Sequence, residues 1–200
     1  MALNAPFYGH PAAMPWRNTP ATAGILGLAA VLALATELGR NELALLLFIL
    51  DPTTGQTAAY RWFSPIFLHF SWMHLVFNAL WMFAVGRLIE WRSRGAWVTL
   101  VVLSALAGNL AQWALGDWRF GGLSGVVYGV LGYVWLWDRL RGDRYQVPPA
   151  YLGLSLFFLL LGLSGLDGLI GVNMANGAHL GGLLAGLAWA ALHAKVTETR

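Results

Sequence analysis

The stretch Arg119–Trp137, "RFGGLSGVVYGVLGYVWLW", decides how this chain is read. It opens with glycines around one serine, Ser124. It then runs through apolar and aromatic residues with no charge until Asp138. A run of that kind suits lipid, yet a hydroxyl framed by Gly121, Gly122 and Gly125 stands at its mouth. Glycine tolerates backbone angles that other residues avoid and lets another chain approach closely.

Composition agrees with a segment made for lipid. The 200 residues are 58% hydrophobic and only 10% charged, with a mean hydropathy of +0.61. Soluble domains carry about a quarter charged residues. The chain therefore reads as an all-α membrane protein, a single compact helical bundle. Eleven Trp and six Tyr suit interfacial aromatic belts. With no cysteine there are no disulfides, thiol nucleophiles or cysteine metal sites. No basic cluster with interleaved aromatics is present, so no nucleic acid partner is expected.

Six apolar runs follow a proline-rich leader, residues 1–20. They are Ala21–Leu38, Ser71–Ile89, Ala96–Leu115, Leu123–Trp137, Ala150–Leu166 and Gly177–Leu192. A straight span needs about 20 residues. The fourth and sixth runs fall short, which suggests helices that begin inside the bundle, where irregular backbone is tolerated only if satisfied. Domain organisation is then a leader (1–20), a membrane-embedded domain (21–192) and a tail (193–200). The connection Gly39–Phe70 holds "LALLLFIL" (Leu43–Leu50), too short to cross and read as a half-submerged element.

Charge gives the orientation. With the N-terminus in the cytoplasm, only Arg40, Arg61 and Arg119 of the 12 Lys and Arg lie on the outer side. That asymmetry obeys the positive-inside rule. Both termini are then cytoplasmic, and the starts of the fourth and sixth spans face outward together.

Polar groups within a membrane are costly and ask for a reason. The second span carries His74 and Asn78, four apart and so on one helical face. The fourth carries Ser124 and the sixth His179, in "NMANGAHLGGLLAG". These are the parts of a hydrolytic site: a nucleophile, a base and side-chain donors for an oxyanion. Ser124 lies at a helix start, where free N–H groups and the positive dipole end favour an anion. "GLSG" occurs again at Gly162–Gly165, but Ser164 falls at a helix end that presents carbonyls, so it reads as a terminator. Small residues recur every four at Ala178, Gly182, Gly186 and Ala190, and at Gly121, Gly125 and Gly129. Such stripes let helix backbones meet closely and would bring Ser124 to His179. Tyr128, one turn below Ser124, is placed to buttress the imidazole. No carboxylate is placed to orient His179, which favours a dyad over a triad.

Rival chemistries lack their parts. A zinc intramembrane protease needs H-E-x-x-H, which is absent. The aspartates, such as Asp117, Asp138 and Asp167, fall at loops or ends rather than within spans. A small transporter would favour repeats or paired midplane charges, and neither is found. No metal or cofactor is implied.

Three stretches carry a resemblance to a known family: "RWFSPIFLHFSWMHLVFNALWMF", "FGGLSGVVYGVLGYVWL" and "MANGAHLGGLLAG". Together, over roughly Arg61–Trp189, the chain resembles the rhomboid intramembrane serine proteases, in their compact bacterial form. The resemblance implies a six-transmembrane-helix bundle, transmembrane protein substrates, and a multi-pass place in a bacterial inner membrane. It implies Ser124 as nucleophile and His179 as base, then acid. His74, Asn78 and the Ser124 N–H match the oxyanion hole. Gly122 matches the glycine before the nucleophile, and Tyr128 the aromatic packed on the catalytic histidine. Arg61 matches the arginine of the first outer loop, although Tyr60 stands where the family usually has Trp. His69 matches a structural loop histidine, and Glu90 an acid at the cytoplasmic end of the second span. The alternative within this family is a catalytically silent relative that binds membrane clients; such relatives lose the Ser or His, and both are present here.

Overall fold

The computed structural model describes residues 15–50, 58–115, 119–142, 145–170 and 173–198. Most of the leader, with His10, lies outside the described residues, as do Asp117, Arg144 and Arg200. Among the described residues the regular elements are all helical. They are α1 (Pro20–Ala35), the short α2 (Glu42–Phe48), α3 (Trp72–Arg92), α4 (Arg94–Ala114), α5 (Ser124–Arg141), α6 (Pro149–Leu163) and α7 (Asn176–Glu198). The helices α3, α4 and α7 are each long and apolar enough to cross a membrane.

The helix α5 is the centre. Eleven of its 18 residues are buried, against three of 15 in α6. The α5/α7 contact is made by glycine. A Cβ added at Gly182 would overlap the Gly125 carbonyl, and one at Gly186 the Gly129 carbonyl. The expected stripes therefore do meet, with one correction. Gly121 lies before α5 and packs against Leu68 and the Pro65 carbonyl of the first loop, not against α7. On the other flank of α7, an added Cβ at Gly181 would overlap the Ala107 carbonyl of α4.

Helix lengths need correction too. The helix α7 has 23 residues, so it is not a short span. The apolar run ends at Leu192, but helix-compatible residues continue to Glu198, which pairs with Arg141 at 3.0 Å. The helix α5 likewise continues past Asp138. That carboxylate accepts from Tyr145 N and Gln146 N rather than ending the helix. The helix α1 stops earlier than its apolar run, because Glu37, Leu38 and Gly39 all turn to positive φ.

The expected half-submerged element is α2. Seven residues cannot hold a helix alone, and the following loop completes this one. Arg61, which is buried, donates to the Leu46 and Ile49 carbonyls. Tyr60 donates to Leu47, and Ser64 to Phe48. Carbonyls that a helix end leaves open are thus closed by side chains. Asn109 of α4 then holds the loop at the Trp62 carbonyl, 2.7 Å away. At the opposite end, Glu90 accepts from Ala21 N, Thr22 N and the Thr22 hydroxyl, capping the start of α1.

Candidate active site

Ser124 is the first residue of α5, after Leu123 as N-cap. The first backbone bond of this helix runs from Val127 N to the Leu123 carbonyl. The N–H groups of Ser124, Gly125 and Val126 therefore have no partner within the helix and project from its positive end. His179 sits in the first turn of α7, buried in the glycine-lined seam. Its Nε2 stands 2.9 Å from Ser124 Oγ. The close helix approach sets this distance, because bulkier residues at Gly125 or Gly182 would part the two backbones.

His74 and Asn78 come from α3, whose N-cap Ser71 accepts from His74 N. Both line Gly122: an added Cβ there would overlap the His74 ring and lie 3.6 Å from Asn78 Nδ2. Gly122 has φ of 119° and donates its N–H to the Pro65 carbonyl. The first loop and α3 thus press the glycine turn from two sides and aim it at Ser124.

His69 orders the neighbouring polar groups. Its Nδ1 faces the Phe67 carbonyl at 3.2 Å, which assigns the proton there. Its Nε2 is then the acceptor for Asn78 Nδ2, 3.3 Å away. One amide hydrogen of Asn78 is used in this bond, and the amide carries a second. The His69 and His74 rings lie 4.9 Å apart.

Tyr128 packs its ring on the His179 ring, centroids 4.5 Å apart. No hydrogen-bond partner for His179 Nδ1 occurs among the described residues, so the geometry is a Ser–His pair without a third member. Chemically the arrangement can move a proton from Oγ to Nε2 and offer several donors around one point. Ser164, by contrast, is exposed at the end of α6 and its hydroxyl donates to the Leu161 carbonyl.

Two residues of α4 escaped the sequence reading. Gln112 accepts from Ala178 N and so caps the start of α7, next to His179. Asn109, three residues earlier, anchors the first loop. Their signal was available: two amides three apart in a span with no charge share a face and call for buried partners.

The family model described as "Rhomboid domain" matches residues 56–196, more than half of the chain. Proteins called Rhomboid protease GlpG from Salmonella newport (strain SL254) and Salmonella typhi are each 47% identical to it over 135 residues. That alignment covers 66% of this chain and 47% of each relative, so the chain spans about half the length of the curated relatives it matches. With the helical bundle, the Ser124–His179 pair and the matched domain in hand, the chain belongs to the rhomboid family of multi-pass membrane proteins.

Proposed function

We propose that this protein is an intramembrane serine endopeptidase that cleaves transmembrane protein substrates in or near their membrane segments. Ser124 attacks the scissile carbonyl while His179 Nε2 takes its proton and later returns it to the leaving amine. The tetrahedral oxyanion is received by the Ser124 N–H at the start of α5, by His74 and by the free amide hydrogen of Asn78. Gly122 keeps this space open, and Tyr128 supports the imidazole. Water from the outer side then releases the acyl group. Both termini lie in the cytoplasm and the site opens outward, in a bacterial inner membrane.

The observation that carries this reading is the 2.9 Å contact between Ser124 Oγ and His179 Nε2. Two polar side chains from helices 55 residues apart in sequence meet inside an apolar bundle. Packing alone does not require both to be polar. The likeness to proteins called rhomboid proteases supports the same conclusion. The test is proteolysis of a model single-span substrate in liposomes. The parent cleaves it, Ser124→Ala loses cleavage, and Ser164→Ala cleaves like the parent. Equal cleavage by Ser124→Ala would overturn the assignment.

A further inference from the structure

We propose that Arg119 is a specificity-determining residue: its guanidinium takes a carboxylate from the flank of a bound substrate segment, in exchange for Glu42. The inference rests on the serine protease reading above and names the substrate chemistry that this site favours.

Arg119 opens the short irregular stretch that runs into Ser124, five positions before it. That stretch is fastened from behind. Phe120 is buried, and an added Cβ at Gly121 would overlap Leu68 and crowd the Pro65 carbonyl. Leu68 is packed in turn with Leu45 and Ile49 of the α2 region in one buried cluster. The glycine turn and α2 are therefore mounted on one frame. Glu42, the first residue of α2, meets the Arg119 guanidinium across it. The frame holds the two residues near each other whether or not their charges attract.

The side chains of Arg119 and Glu42 are 49% and 57% exposed. An exposed pair of this kind contributes little to stability, so a competing charge can open it. The substrate's flanks come within reach of it. When Ser124 meets the scissile carbonyl, the neighbouring residues extend away at about 3.3 Å each. Arg119 is itself only five residues from Ser124. Spanning segments keep Lys and Arg on their cytoplasmic flanks. On the proposed orientation, the charges that a substrate brings to this outward site are therefore carboxylates. They are repelled by Glu42 and attracted by Arg119, whose planar fork can hold a carboxylate by two parallel hydrogen bonds. Arg61 cannot take that part, because it is buried and donates to the Leu46 and Ile49 carbonyls.

The test uses the full chain in detergent micelles and a single-span substrate. Asp or the isosteric Asn is placed in turn at each of the four positions on either side of the scissile bond. The readout is the Asp/Asn ratio of kcat/KM within each variant, so the folded fraction cancels. The parent should favour Asp at one or two positions by about fivefold. Arg119→Gln should bring that ratio to one, and Arg119→Lys should restore part of it. Glu42→Gln, which removes the competitor, should raise the ratio above the parent's. Salt at 1 M should flatten it, because the pair is exposed. An Asp preference that survives in Arg119→Gln would overturn the proposal. So would a ratio of one at every position in both the parent and Glu42→Gln. A parent that cleaves neither the Asp nor the Asn substrate would overturn the protease reading instead.

Discussion

At Gly122 two constraints coincide. Its φ of 119° is a conformation that L side chains rarely adopt, and the His74 ring stands where a Cβ would be. Either constraint alone selects glycine. Gly122→Ala should therefore push the His74 ring out of line and disturb the turn into Ser124. Removing one oxyanion donor typically costs on the order of 10² in kcat, and a loss of about that size is expected here. Steady-state cleavage of a single-span substrate checks it, with KM as the control. A variant with parental kcat would mean that His74 takes no part in holding the oxyanion. Much of the candidate site was legible at this scale. Ser124, His74, Asn78 and His179 each stand out as polar groups in apolar spans. The Tyr128 hydroxyl bond was not legible, because its acceptor is a backbone carbonyl, and every residue has one. The His69–Asn78 bond was also hidden, since it depends on how an irregular loop folds back.

Among the elements, α3 has to face two ways. Its N-terminal half presents His74 and Asn78 to the candidate site, and its C-terminal half presents Glu90 to the start of α1. Between them Met82–Gly86 form a π-helical turn, a local widening that shifts the phase of the halves against each other. Nothing in an apolar run announces such a turn, so the sequence shows the span but not its internal offset. The Glu90 end is an anchor rather than part of the chemistry. Its two oxygens accept three hydrogen bonds within the fold. Glu90→Gln keeps the shape but replaces one acceptor by a donor and removes the charge. One buried N–H or hydroxyl of α1 is left unsatisfied, at a cost of about 2 kcal/mol. The expected result is a lower thermal midpoint with an unchanged kcat for the folded fraction. A kcat that falls in step with the midpoint would instead tie the cap of α1 to the oxyanion groups.

For the whole molecule, each apolar run corresponds to one helix among the described residues, but the runs mark neither the lengths nor the ends of those helices. Hydropathy reports what lipid accepts, whereas a helix stops where its backbone leaves helical geometry, as at Glu37, and runs on through a charge whose carboxylate has partners, as at Asp138. The proposed orientation rests on charge alone: it puts three of the 12 Lys and Arg on one side and nine on the other. The chain has no cysteine, so a single introduced thiol reports its own side without background. Ser164 lies exposed at the end of α6, on the Ser124 side of the bundle, while Arg139 is exposed in the last turn of α5, at the far end. With a membrane-impermeant maleimide on intact spheroplasts, Ser164→Cys should label at once. Arg139→Cys should label only after the membrane is opened. On the proposed orientation the Arg139 change leaves eight cytoplasmic charges against three, too small a shift to invert the chain. The reverse pattern would put Ser124 on the cytoplasmic side. The same Ser–His chemistry would then draw its water, and release its products, inside the cell.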